Sequence, residues 1–115
     1  FDEKWFPNAP MQGFNHSIKY DGTNENIHFM NPIAGDQLNQ YVTAYRQGIP
    51  GYQDGTIWSD KEKEEFTTIT GTLNSSIAVK YYLKVFQGKT YIAFSMYNTS
   101  KSDDLIKNIE FTYSK

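Results

Sequence analysis

The chain has 115 residues, a formal net charge of -2 at pH 7 and no cysteine. This length is typical of a single domain, and the missing cysteines exclude disulfides, thiolate metal sites and a cysteine nucleophile. The weakly acidic balance provides no overall attraction to nucleic acid, and no apolar run reaches the roughly 20 residues that a membrane-spanning helix needs. We therefore expect one domain over residues 1–115 that does not itself insert into a membrane.

The N-terminal third predicts one hairpin after an irregular start. Residues 1–13 contain two prolines and no periodicity, so we predict an extended lead-in. Apolar and aromatic side chains occupy most even positions of residues 14–20, and this period of two is typical of a half-buried strand. Asp21 and Gly22 form a tight-turn signal, and residues 26–30 are predicted to be the returning strand.

A single apolar stripe predicts an amphipathic helix over residues 37–47, because its members recur at the spacing i, i+3, i+4 and i+7. The stripe consists of Leu38, Tyr41, Val42 and Tyr45. Asp36 is placed to cap the start of this helix through its carboxylate. Gly48 stands where a left-handed cap would end it.

The middle of the chain predicts a loop and a short helical turn. Residues 48–55 contain three glycines and one proline, which favours a loop with Tyr52 near its tip. Ser59 and Glu62 have the spacing of a capping box, which predicts a helical turn over residues 60–65. Tyr52 and Trp58 are candidate ligand anchors in this segment. For Trp58 the favoured alternative is burial in the core at the start of a strand.

The C-terminal half predicts four strands, over residues 67–73, 77–86, 91–97 and 105–113. Their alternation places one set of side chains on a common core face: Ile77, Val79, Tyr81, Leu83 and Val85 together with Ile92, Phe94 and Met96. The predicted fold is therefore α+β: an antiparallel sheet of about six strands, in the order ββαββββ, with one main helix packed on one face.

The opposite face of the 77–97 hairpin is the strongest candidate for a binding surface, because it combines aromatic rings with lysines. Its members are Lys80, Tyr82, Lys84 and Phe86 on one strand and Tyr91, Ala93, Ser95 and Tyr97 on the next. From this set Tyr82, Lys84, Tyr91 and Tyr97 are the predicted binding residues. The alternative is that a helix or the N-terminal segment covers this face.

The sequence contains no pattern that predicts a catalytic site or a metal site. The predicted register of the first hairpin sends His16 and His28 to opposite faces, which excludes a shared metal site without a bulge. We expect a partly buried His16 and a solvent-facing His28. The carboxylates fall in turns, caps and charged runs, and no Gly-rich phosphate loop is present. No enzyme activity, metal or cofactor is predicted.

The function predicted from the sequence is binding. Aromatic residues make up 17% of the chain, including nine tyrosines, and tyrosine is enriched at interfaces. We expect a non-catalytic, extracytoplasmic domain that recognises another protein through an aromatic and lysine surface of the sheet. Because the sequence begins at Phe1 and not at Met, either a processed mature protein or an expressed fragment is expected, and the former is favoured. The expected location is secreted, or at the cell surface as a lipoprotein ectodomain.

Two alternatives from other classes remain. The first is a carbohydrate-binding module whose platforms are taken from Tyr82, Tyr91, Tyr97 and Trp58. The second is a small-molecule sensor or enzyme with a pocket between helix and sheet, lined by Tyr41 and Tyr45. The partner is thus another protein or a glycan, and no nucleic acid is expected.

Overall fold

The computed structural model describes residues 4–109, which form one antiparallel sheet with a helix on each face. The elements are β1 (Trp5–Pro7), β2 (His16–Tyr20), β3 (Asn26–Phe29), β4 (Ile33–Ala34), α1 (Leu38–Gln47), β5 (Gln53–Ser59), β6 (Glu64–Leu73), β7 (Ile77–Phe86), β8 (Lys89–Tyr97) and α2 (Ser100–Lys107). The strands lie in the order β1-β2-β3-β8-β7-β6-β5, and β4 pairs with β8 as well. Neither helix has the length and apolar character needed to cross a membrane.

The α+β class and the antiparallel sheet are confirmed, but the predicted strand count and order are wrong. The described residues contain eight strands in the order ββββαββββα, where about six in the order ββαββββ were expected. Two of the additional strands, β1 and β4, contain three and two residues, too few for a period of two to be visible. The third, β5, begins within the glycine-rich segment that was predicted to be a loop.

The α1 face of the sheet holds the larger part of the predicted core. The pairing of β7 with β8 places Val79 opposite Met96 and Leu83 opposite Ile92, as the alternation predicted. The stripe of α1 packs against these residues, with Val42 buried at its centre. The amphipathic helix and its orientation are therefore confirmed.

Side-chain contacts anchor the start of α1, and backbone hydrogen bonds close its end. At the start, Gln37 N–H donates to Thr90 Oγ1 at 2.8 Å, and Leu38 N–H donates to the Asp36 carboxylate at 3.2 Å, although the N-cap position is Gln37 and not the predicted Asp36. The predicted left-handed ending at Gly48 is wrong, because Gly48 has a φ of −86°. The left-handed glycine of this loop is Gly51, with a φ of 70°.

The predicted last strand is also wrong where the structure describes it. Residues 100–107 form α2, and residues 110–113 of that prediction lie outside the described residues. Ile106 is 1% exposed and packs on the sheet face opposite α1. Leu105 and Ile109 also pack there, and their spacing of four residues suits a helical turn as well as it suits a strand.

The helical turn predicted at residues 60–65 is wrong: residues 60–63 form the tight connection between β5 and β6, and residues 64 and 65 already belong to β6. Glu62 N–H donates to Ser59 Oγ at 3.3 Å, which is half of the expected capping box. Lys63 adopts a φ of 59°, and its N–H donates to Ser59 O at 2.8 Å. This left-handed residue reverses the chain, so β6 begins at Glu64.

Gly71 allows the loop after α1 to lie directly on β6. Ile49 in this loop is 3% exposed, and a Cβ atom added to Gly71 would overlap with Cγ2 of Ile49. The core on the α1 face therefore depends on the absence of a side chain at Gly71.

We predict that Gly71→Ala lowers the free energy of unfolding by about 1–3 kcal/mol, the usual cost of overpacking. The same substitution should cost less in an Ile49→Ala background, because the overlapping atom is then gone. Urea denaturation of the two single variants and the double variant measures this coupling. Gly48→Ala is the matched control, since its added Cβ would meet only Tyr45 O at 3.7 Å, at a negative φ. Equal costs in both backgrounds would contradict the packing argument.

Candidate binding surfaces

The aromatic and lysine face of the β7–β8 hairpin is assembled as the alternation predicted, but α2 lies over its centre. The register pairs Lys80 with Ser95, Tyr82 with Ala93 and Lys84 with Tyr91. Tyr82 is 1% exposed. Lys80 Nζ lies 2.9 Å from Asp103 Oδ1, and Lys84 Nζ lies 2.9 Å from Glu64 Oε2. Tyr82 is thus out of reach of a ligand, and Lys84 is half-buried in an ion pair.

Tyr82 holds α2 on the sheet through its hydroxyl. The Tyr82 O–H donates to Asp103 Oδ1 at 2.6 Å, and Lys80 Nζ lies 5.5 Å from the centre of the Tyr82 ring. Burial raises the pKa of Tyr82, and the hydrogen bond to Asp103 and the charge of Glu25 raise it further. The phenol therefore remains a protonated donor at any physiological pH.

A buried carboxylate caps the start of α2. Glu25 is 2% exposed, and its Oε2 accepts hydrogen bonds from Ser102 N–H at 2.6 Å and from Ser102 O–H at 2.8 Å. Ser95 Oγ and Ser102 Oγ share a further hydrogen bond at 2.7 Å. A negative charge at a helix N-terminus is favourable. Both serines are fully buried, so this cluster anchors α2 and presents no nucleophile to a substrate.

Burial raises the pKa of Glu25 above its ordinary value, and the hydrogen bonds from Ser102 offset part of that rise. As the pH falls toward 4.5, the folded protein therefore takes up a proton at Glu25 before the unfolded chain does. We predict that the wild type gains stability relative to Glu25→Gln over this interval. Chemical denaturation of both proteins from pH 8 to pH 4.5 measures the difference.

Ser102→Ala sharpens the same experiment, because it removes a hydrogen bond that lowers the pKa of Glu25. The pH-dependent interval should then extend to higher pH. A stability difference between wild type and Glu25→Gln that is constant with pH, or that grows in the opposite direction, would contradict the burial of an ionised carboxylate.

Stacked rings fill the space between α1 and the sheet. The Tyr45 ring lies on the Tyr81 ring with centroids 3.8 Å apart, and Tyr81 in turn stacks on Phe94 at 4.3 Å. Tyr41 contacts Tyr45 at 5.8 Å. Burial raises the pKa of Tyr45. The region that was considered for a pocket between helix and sheet is therefore packed at Tyr41 and Tyr45.

The two histidines lie on opposite faces, but their expected exposures are reversed. His16 is exposed, whereas His28 is 4% exposed. Residues of the N-terminal segment cover His28: Met11 N–H donates to its Nδ1 at 3.3 Å, and the Phe14 ring lies 5.7 Å from its ring. Burial lowers the pKa of His28. Within residues 4–109, no group of three or more acidic, histidine or cysteine side chains could hold a metal ion.

Trp58, which was expected in the core, is 48% exposed. Ile57 takes the inward position, with 8% exposure, and pairs with Phe66 of β6. The alternation of β5 therefore sends Trp58 to the α1 face. Because α1 packs on β7 and β6, the Trp58 ring at the far end of β5 remains in solvent.

Tyr52 directly precedes the other end of β5, and its ring lies beside an arginine that forms an ion pair. Arg46 at the end of α1 donates to both carboxylate oxygens of Asp54, at 3.1 and 2.8 Å. The Arg46 guanidinium lies 5.6 Å from the centre of the Tyr52 ring, and Tyr52 is 41% exposed. Asp54 and Trp58 are four residues apart on one face of the strand, a distance of about 13 Å.

The two edges of the sheet differ in how they are protected. β1 at one edge has three residues and ends with Pro7, and short strands and prolines both discourage pairing with another chain. β5 at the other edge has seven residues and contains neither proline nor lysine. Its one charged residue, Asp54, is paired with Arg46. No other strand of residues 4–109 pairs with the outer side of β5.

The last two predicted binding residues, Tyr91 and Tyr97, are more accessible to solvent than Tyr82. Tyr91 is half-buried, and Tyr97 is 48% exposed at the end of β8. The structure therefore brings Tyr52 and Trp58 to one edge and separates them from Tyr82, Lys84, Tyr91 and Tyr97. No protein-family model and no curated protein matches the chain.

Proposed function

We propose that the chain is a non-catalytic, extracytoplasmic protein-binding domain that accepts an extended segment of its partner as an additional strand beside β5. The outer edge of β5 carries this proposal. It is long and unpaired within the described residues, and its backbone N–H and C=O groups on that side can form a new ladder. Tyr52 and Trp58 mark its two ends with exposed aromatic rings.

Trp58 and Glu65 together indicate the chemistry of the partner. They are directly opposite each other on β5 and β6, so they share the α1 face. Glu65 is exposed, and it takes part in none of the ion pairs among the described residues. A lysine or arginine on the added strand could lie over the Trp58 ring and direct its cation toward the Glu65 carboxylate. The partner segment is therefore extended and carries a basic residue at this position.

Two further observations support the proposal. Glu25, Ser95 and Ser102 are residue types that also occur in catalytic sites, but here their side chains are buried and cannot contact a substrate. The chain contains no cysteine, so its fold depends on neither a reducing nor an oxidising compartment. An extracytoplasmic location is compatible with that composition. Recovery of the protein in the cytoplasmic fraction of its source cells would overturn this part of the proposal.

The binding function is tested by selecting linear peptides from a random display library on the folded domain. We expect enriched peptides that carry a basic residue and bind in the micromolar range. Trp58→Ala should weaken their binding about tenfold or more, which corresponds to a loss of at least about 1.4 kcal/mol. Phe6→Ala is the matched control, because Phe6 is 49% exposed and lies on the opposite edge strand.

A second measurement locates the added strand. Amide hydrogen exchange of β5 should slow when the selected peptide is bound, whereas exchange in β1 should not change. Failure to enrich any peptide, or peptides that bind wild type and Trp58→Ala equally, would overturn the proposal. Sedimentation that reveals a dimer sensitive to Trp58→Ala, without peptide binding, would place a second copy of the chain at β5 and overturn the choice of a foreign segment.

A further inference from the structure

A row of four side chains crosses the sheet at the edge opposite β5. Phe6 pairs with Lys19, Lys19 with Asn26, and Asn26 with Met96, on β1, β2, β3 and β8. Directly paired residues share a face of the sheet, so all four lie on the α1 face. With strands about 4.8 Å apart, the row is roughly 14 Å long. Because α1 packs on β6 and β7, it leaves the outer part of this row open.

Two adjoining depressions lie along this row. The first, of about 500 Å³, extends from Phe6 and Pro7 to the turn between β2 and β3. The second, of about 270 Å³, is lined by Asn8, Lys19, Asn24, Asn26 and Tyr97. Lys19 and Asn24 line both depressions. They therefore form one continuous groove, which we name the Phe6–Tyr97 groove after the aromatic residues at its ends.

The floor of the groove contains a polar atom without a partner. Asn26 is 9% exposed, and its Nδ2 donates to the Asn24 carbonyl at 3.0 Å. Its Oδ1 is buried and has no hydrogen-bond partner among the described residues. Such an orphaned acceptor is costly, and a hydrogen bond from a ligand hydroxyl to it would relieve the cost.

The two rings at the ends of the groove are exposed. Phe6 is 49% exposed and Tyr97 is 48% exposed. Tyr97 has a φ of 77°, a conformation that a bulky residue adopts only under constraint. Backbone strain at the residue that lines the groove is a recurrent property of ligand sites.

We propose that the Phe6–Tyr97 groove binds an oligosaccharide of two or three sugar rings. The apolar faces of sugar rings stack on exposed aromatic side chains, and their hydroxyls pair with amides such as those of Asn8, Asn24 and Asn26. The Lys19 ammonium donates to a hydroxyl or carboxylate oxygen of the same ligand. A purely apolar ligand would leave the amides unpaired, and a simple anion would make no use of the rings. This site lies at the edge of the sheet opposite β5. A negative result for either proposal therefore leaves the other unaffected.

The probe is an array of di- to hexasaccharides, followed by calorimetric titration of the oligosaccharide that gives the strongest signal. We expect binding by the wild type and a loss of at least tenfold in Phe6→Ala. Tyr97→Asn should show a similar loss, because asparagine tolerates the positive φ while removing the ring. Trp58→Ala is the matched control at the other edge and should bind as the wild type does.

Circular dichroism verifies that each variant is folded, and Lys19→Gln replaces any variant that is not. A second readout is the side-chain amide resonance of Asn26, which should shift on titration with the same oligosaccharide. No binding on the array would overturn the proposal. Binding that is unchanged in Phe6→Ala, Tyr97→Asn and Lys19→Gln would also overturn it, as would binding lost in Trp58→Ala alone.

Discussion

The attachment of α2 to the sheet is the interaction on which the rest of the structure depends. Glu25 gives up hydration when it is buried, and the serine hydrogen bonds and the positive end of α2 offset that cost. Tyr82 and Asp103 form a second polar contact at the next residue of α2 after Ser102, and Ile106 fills the apolar space between the helix and the sheet. If α2 moved away, Glu25 and Tyr82 would lose these hydrogen bonds and Ile106 would become exposed to water. The helix is therefore held by polar complementarity as much as by apolar area.

This attachment decides which surfaces remain for binding. With α1 on one face and α2 on the other, the central strands β7 and β8 are covered at Tyr81, Tyr82 and Phe94, whereas Tyr97 at the end of β8 is exposed. Exposed rings remain near the margins of the sheet, at Trp58 and Tyr52 beside one edge and at Phe6 beside the other. The two margins differ in chemistry. The β5 side offers backbone groups and the Glu65 carboxylate, which forms no ion pair with any residue from 4 to 109, whereas the β1 side offers amides and one lysine.

Particular residues illustrate how far sequence reasoning extends. The stripe of α1 and the facing of β7 and β8 were predicted because a helical or strand period over about ten residues leaves few alternatives. Trp58 was misplaced because the alternation of β5 was hidden among glycines and polar residues. A preference for Ile57 as the inward residue was the available signal. His28 was misplaced because its cover comes from Met11, in a segment without periodicity, and from Phe14, which was predicted to lie in the first strand.

The candidate site residues also divide into those that local sequence identified and those that only their neighbours in the structure reveal. Tyr52 and Trp58 were singled out from the sequence as aromatic residues near a glycine-rich loop, and the structure brings them to one edge. Glu65, Lys19 and Asn26 were not, since each is an ordinary polar residue until its neighbours are known. Asn26 becomes a candidate binding residue only because β3 lies between β2 and β8. This placement depends on pairing between residues up to seventy positions apart in the chain.

By itself, the sequence determined the α+β class, the antiparallel hairpins and the face of α1 that meets the core, because all of these follow from local periodicity and turn chemistry. Only the tertiary structure decided the strand order, the helical state of residues 100–107 and the exposure of each aromatic ring. These depend on which distant groups become neighbours. Glu25 and Ser102 are 77 positions apart, and no local pattern records that they meet.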